Sequence, residues 1–225
     1  MSSFFRYDTA LQRHVSDLLG TERFAPYLAD GTGDVGEALK LYVWNASLSA
    51  AFLAPIGAIE VALRNALNRA LASSFATPWH DDPVFLALDT TGGFTSRIAA
   101  AKGYISRARP PRPVTTGRIV AELGLSFWVS LLRPVHTRTL WPRLRSAFVR
   151  YTHRKSVMKY LEPLPAFRNR VAHHEPIYAR RPHEIYTGLL ELPATLSPEL
   201  PSWIEHHSRV RQFLSDGPNG NSLRF

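Results

Sequence analysis

Apolar residues recur at helical rather than strand spacing along nearly the whole chain. Leu11, Val15, Leu18 and Leu19 mark a short amphipathic helix after Asp8, and Arg23 to Leu28 another turn of helix. From Asp34, the spacing of Val35, Leu39, Tyr42, Val43, Ala46, Leu48 and Phe52 predicts a long helix that Pro55 ends or kinks. Ile56, Ile59, Leu63, Leu67 and Leu71 predict a second long helix, so that the two form a hairpin at the core of a bundle. Thr77 to Pro83 reads as a loop by its prolines and turn residues, and residues 93–107 as a helix. Arg109-Pro110-Pro111-Arg112-Pro113 reads as a stiff connector in preference to a peptide ligand. Helical regions follow over 116–132 and, strongly basic, over 144–161. Pro163 and Pro165 precede a short helix at 166–174, closed by Pro176, which disfavours helical backbone at Glu175. A last helix is predicted near 198–213. No convincing strand alternation occurs, so the class is all-α.

Composition narrows the class of protein. The 225 residues suit a single helical domain over 1–215 with a flexible Gly/Asn/Ser tail at 216–225. Zero cysteines exclude a disulfide scaffold, a thiolate zinc site and a cysteine nucleophile. Met1 to Arg13 lacks the pattern of a signal peptide. Ala46 to Ala62, interrupted by Pro55, Gly57 and Glu60, reads as too short and too broken to span a bilayer. A cytoplasmic protein without a membrane partner is expected.

The net charge of +9 is unevenly placed. Residues 101–182 carry 17 Lys/Arg against 3 Asp/Glu, whereas both flanks are mildly acidic. Only four of the chain's basic residues are lysine, and arginine's planar fork grips phosphate and stacks on bases. An RNA or DNA partner therefore fits better than a need for solubility alone. Arg150, Arg154, Lys155 and Lys159, together with Arg170, are the expected phosphate contacts.

Inside this block lies Phe167-Arg168-Asn169-Arg170-Val171-Ala172-His173-His174-Glu175-Pro176. Such a set suits RNA cleavage without metal or other cofactor. A neutral histidine can take the ribose 2′-hydroxyl proton, or an imidazolium can protonate the leaving 5′-oxygen. Arginine can neutralise charge growing on phosphorus, and asparagine can fix the phosphate or orient the imidazole. RNA brings its own nucleophile. On a helix Asn169 and His173 share a face, as do Arg170 and His174, while Arg168 and His173 stand roughly 140° apart. A long arginine or a second subunit could close that gap. The competing reading is structural: histidines that cap a helix C-terminus. A metal site is disfavoured, because adjacent side chains diverge and no H-E-x-x-H occurs. His206-His207 reads as surface, and Trp44 and Trp128 as core.

Arg168-x4-His173, or Arg168-x5-His174, with a polar residue after the arginine, resembles the R-x4-6-H signature of the HEPN superfamily of helical ribonucleases. Arg168-Asn169-x-x-Ala172-His173-His174 more narrowly resembles its Abi-like branch, associated with abortive infection and phage defence. Leu41-Tyr42-x-Trp44-Asn45-Ala46 through Ile59-Glu60-Val61-Ala62-Leu63-Arg64-Asn65 agrees, as does Glu122-Leu123-Gly124-Leu125-Ser126-Phe127-Trp128. The likeness covers approximately residues 8–190. It implies a HEPN-like bundle with extra N- and C-terminal helices, and a homodimer with both motifs in one cleft. It further implies metal-independent endoribonuclease activity of defence or toxin type, leaving a 2′,3′-cyclic phosphate, with an antitoxin or phage-derived activator as a further partner. By position, Arg168 and His173 carry catalysis, Asn169 supports them and His174 is the alternative histidine. Glu60 and Arg64 are expected as a structural i,i+4 ion pair. The alternative function is a non-catalytic RNA-binding module on the same fold.

Overall fold

The computed structural model of this chain describes residues 8–89, 92–150 and 152–220. Part of the segment read for a signal peptide (1–7), the tail at 221–225 and one position of the expected basic helix (151) lie outside the described residues. Among those described the protein is all-α and contains no strand.

In chain order the helices are α1 Thr9–Leu19, α2 Thr21–Asp30, α3 Val35–Ala72, α4 Pro83–Leu86, α5 Gly93–Arg107, α6 Thr116–Glu122 and α7 Leu125–Ser130. There follow α8 Trp141–Leu144, α9 Arg154–Leu161, α10 Leu164–Ala172, α11 Pro182–Ala194, α12 Leu200–His207 and α13 Val210–Asp216. Several begin where polar side chains satisfy the free N–H groups of the first turn. Asp8 accepts from Leu11 at 2.7 Å, and Asp34 from Glu37 at 2.8 Å. Asp89 gathers the N–H groups of Gly93, Phe94 and Thr95, which fixes the start of α5.

Four expectations need correction. The hairpin at Pro55 does not form, because α3 runs as one helix of 38 residues with Pro55 inside it. Leu48, Phe52, Ile56, Ile59, Leu63, Leu67 and Leu71 keep one helical phase across the proline, and all are buried. Burying each such side chain stabilises by about 1.5–3 kcal/mol, so together they outweigh the roughly 3 kcal/mol cost of an internal proline. Second, α3 is long and apolar enough to cross a membrane by length and composition, contrary to the shorter stretch read from sequence. Half of its most apolar window is buried within the protein, and Asn45, Ser47 and Ser49 are buried polar positions on it. Third, 144–161 is not one helix. It divides into the end of α8, a 3₁₀ turn at Arg145–Ala147 and α9, with Phe148 in extended backbone. Likewise 116–132 divides into α6 and α7 at Leu123-Gly124, and the last predicted helix into α12 and α13. Fourth, α11 was not anticipated. Of the expected tail, Gly217–Asn219 form a 3₁₀ turn.

The chain divides into two compact units, each assembled from separate stretches. The first comprises the described parts of Met1–Ile56, Ala166–Thr187 and His207–Phe225. Its core includes Phe24, Tyr27, Ala38 and Leu39, with Val15, Leu19, Tyr42 and Tyr178 packed against them. Gly31 is obligatory at the α2–α3 turn, since a Cβ there would come within 2.9 Å of Ala38 N and Tyr27 O. Further along, Phe52 packs edge-on to Phe167 of α10, with ring centroids 5.0 Å apart.

The second unit comprises Gly57–Pro165 and Gly188–His206. Its centre is a network of rings: Trp79, Phe85, Phe94, Phe127 and Trp128, with His136 against Phe94. Trp128 Nε1 donates to Leu123 O at 2.8 Å and Trp79 Nε1 to Asn68 Oδ1 at 2.9 Å, so both buried indoles are satisfied. Trp128 therefore belongs to the core as expected, whereas Trp44 is half-buried and donates to Phe213 O. Glu60 does not pair with Arg64. Its carboxylate instead accepts from Leu125 N–H at 3.1 Å, at the start of α7, where an acceptor is needed.

Candidate functional site at the end of α10

The motif occupies the C-terminal end of α10, and the backbone explains where each side chain stands. His173 N–H still bonds to Asn169 O at 2.9 Å, the last α-type step. His174 then turns to a left-handed φ of 55°. Its N–H bonds to Val171 O and that of Glu175 returns to Arg170 O at 2.9 Å. This pair of bonds is a Schellman closure with His174 in the left-handed position, where histidine is tolerated better than most residues. Pro176 follows immediately and prevents the helix from continuing. The expected Asn169–His173 step thus persists, whereas the Arg170–His174 pair is lost because His174 has left helical register.

Two distant residues clamp this helix end. Arg23 of α2 donates from Nη1 to His173 O at 3.0 Å and to His174 O at 2.8 Å. A guanidinium at a helix C-terminus both satisfies free carbonyls and suits the negative end of the dipole. Asn45 of α3, only 2% exposed, donates to Tyr27 Oη at 3.0 Å and to Glu175 O at 3.2 Å, and accepts from Ile177 N–H at 2.8 Å. One buried amide therefore holds both sides of the Glu175-Pro176 bend. Burial pushes the Tyr27 hydroxyl up to about 12, so it stays protonated beside Asn45. Tyr178, next along, donates to Asp30 Oδ2 at 2.6 Å.

The side chains on this scaffold divide into two sets. Arg170 is tied to Glu175, Nη1 to Oε2 at 2.5 Å. Arg168, Asn169, His173 and His174 are exposed, and none has a side-chain hydrogen bond or ion pair among the described residues. An open groove of about 640 Å³ is lined by Leu19, Arg23, Pro26, Glu175 and Pro176, among others, and by none of these four motif residues. The remaining expected phosphate contacts belong to the second unit. Lys155 is exposed on α9. Lys159 lies over the Tyr160 ring, 4.8 Å from its centroid. Arg154 is half-buried and donates to Leu132 O at 3.0 Å. Arg150 is exposed and has a partner within the protein. Among the described residues no group of three His, Cys, Asp or Glu could hold a metal ion.

Neither Arg23 nor Asn45 was singled out from sequence as part of the site. Asn45 carried a signal, an amide within the apolar stripe of α3. Arg23 carried none, since its bonding partners lie 150 residues away.

No protein-family model, no curated protein and no solved structure matches this chain.

Proposed function

We propose that this protein is an endoribonuclease of phage-defence or toxin type that cleaves RNA without a metal, using the end of α10 as its catalytic surface. The observation that carries this reading is the contrast between a fixed backbone and free side chains. The carbonyls around His173 and His174 are clamped by Arg23 and Asn45, while Arg168, Asn169 and both imidazoles are left unpaired toward solvent. Four polar side chains on a rigid support, none spent on the fold, form a set suited to a ligand.

In this reading His173 takes the proton of the 2′-hydroxyl, and the 2′-oxygen attacks phosphorus. The bond to the 5′-oxygen breaks, and that oxygen leaves with a proton from an imidazolium, either His174 or the same motif in a second copy. The products are a 2′,3′-cyclic phosphate and a 5′-hydroxyl. Arg168 stabilises the charge on the phosphorane and Asn169 holds a phosphate oxygen. The resemblance to HEPN proteins of the Abi-like branch supports a dimer in a HEPN-like bundle, a cytoplasmic setting and restraint by an antitoxin or phage signal.

Arg168→Ala and His173→Ala should each lower cleavage about 10²- to 10⁴-fold while the circular dichroism spectrum and solution mass stay unchanged. Unaltered cleavage in both variants contradicts the assignment. A second reading, an RNA-binding module without turnover, is favoured by the open setting of the motif on a surface. It predicts salt-sensitive RNA binding and no product.

A further inference from the structure

The α5 helix of the second unit carries a feature that the motif does not use. One of its faces is buried through Phe94, Ile98, Ala101 and Ile105. On another face Tyr104 is 63% exposed, with Arg97 seven residues before it and Arg107 three after. Those spacings bring the three side chains onto one side of the helix. Ala100 and Ala101 between them are small, and a groove of about 560 Å³ opens there against Gly124 and Phe127. An exposed tyrosine of this size is not needed for the fold. It makes no side-chain hydrogen bond among the described residues.

Charge identifies the occupant. From Gly93 to Arg118 the chain has six basic residues and no acidic one. Arg97 and Arg107 are about 15 Å apart along the helix axis, with the aromatic ring between them. Arg97 uses one nitrogen on Ser126 O at 3.3 Å, which steadies the guanidinium and leaves its other donors available. Glu122 is the one carboxylate among the residues that line the groove. A flat ring flanked by two guanidiniums is what an unpaired nucleotide strand needs: a π-face for a base and cations for the phosphates on either side. A duplex hides its base faces within the stack and cannot use the ring in this way.

We infer that Tyr104, flanked by Arg97 and Arg107 on α5, is a stacking platform that binds single-stranded RNA apart from the α10 motif. The site deepens the ribonuclease reading by naming unpaired RNA as the substrate form. It rests on that reading only for the choice of RNA, since binding here requires no cleavage.

The test uses the full chain carrying His173→Ala, so that turnover does not intervene, and a fluorescein-labelled 12-nucleotide oligoadenylate as probe. Tyr104→Ala should weaken binding about five- to hundredfold, and Tyr104→Phe or Tyr104→Trp should restore it, because stacking needs the ring and not the hydroxyl. Arg97→Gln and Arg107→Gln should each reduce the slope of log affinity against log salt by about 0.7. A blunt-ended duplex of equal length should be insensitive to Tyr104→Ala. The inference is overturned if Tyr104→Ala binds oligoadenylate as tightly as the parent. It is equally overturned if Tyr104→Phe is as weak as Tyr104→Ala, or if an acidic peptide and not RNA shows the dependence. Loss of cleavage in Arg168→Ala with Tyr104-dependent binding intact supports both sites. Cleavage unaffected by Arg168→Ala and His173→Ala, with Tyr104-dependent binding intact, removes the α10 assignment alone.

Discussion

His80 and His136 are 5% and 8% exposed within the ring network of the second unit, whereas His173 and His174 stand on the surface of the first. His80 Nε2 lies 3.0 Å from Thr116 Oγ1, and its ring packs 5.4 Å from Trp79. Burial lowers the pKa of both His80 and His136, against the opposing pull of Asp81 on the one and Asp89 on the other. At the α10 end the histidine rings are exposed. There the backbone carbonyls of the histidines are bonded and the rings are not. His80 and His136 have rings packed into the core, whereas the rings of His173 and His174 stand free on a backbone held by Arg23. The arginines divide in the same way. Arg118, Arg143 and Arg154 donate to the carbonyls of Pro113, Thr139 and Leu132, while Arg168 is unpaired.

Stability should separate the two regions most sharply. Trp128→Ala, which empties the centre of the ring network and frees the Leu123 carbonyl, should cost about 3–5 kcal/mol in urea unfolding. His173→Ala and Arg168→Ala should leave the unfolding curve unchanged. A large loss in either motif variant would mean that those side chains serve the fold. Next in size is Asn45→Ala. It removes the acceptor of Ile177 N–H and the donor to Glu175 O, and unsatisfied buried groups cost about 1–3 kcal/mol each. Cleavage should fall together with stability in this variant, because the support of the motif is lost, whereas in His173→Ala only cleavage falls.

Acid should act on the buried pair. A histidine whose folded pKa lies below its unfolded value of about 6.5 binds its proton more readily when unfolded. Its stabilising contribution is complete above that value and is lost as pH falls through about 6.5 toward the lower folded pKa. Unfolding free energy should therefore decline between pH 7 and pH 5, and His136→Phe should flatten the decline. The smallest effect is at His174. His174→Gly relieves a left-handed backbone that costs a side-chain residue about 1–2 kcal/mol, offset by the extra freedom of unfolded glycine. Thermal stability should hold or rise slightly. Cleavage should persist if the imidazolium that protonates the 5′-oxygen comes from a second copy, and should fall if His174 supplies it.

Much of the fold was legible because its helices follow local rules. Asp8 and the stripe after it mark α1, and residues 93–107 mark α5 to the residue. The reading failed where tertiary burial overrode a local signal. Pro55 stands inside α3 because apolar positions on both sides continue one phase, and α11 was missed with Pro182 at its start and Pro193 within it. The 144–161 stretch is rich in helix-compatible residues, yet it breaks at Phe148 into extended backbone. Of the candidate site, the residue types and their order were legible. The Schellman turn that parts His174 from Arg170 was signalled only by Pro176. Arg23 could not be read at all, because contacts between α2 and the motif span 150 residues and leave no periodic trace.

The end groups of the RNA products decide whether His173 cleaves RNA through the 2′-hydroxyl. Wild-type protein is incubated with RNA in EDTA, and the new termini are identified by mass. The wild type should leave 2′,3′-cyclic phosphate and 5′-hydroxyl ends, and His173→Ala neither. Products carrying 3′-hydroxyl and 5′-phosphate ends, or RNA that is bound and left intact, would overturn the ribonuclease reading.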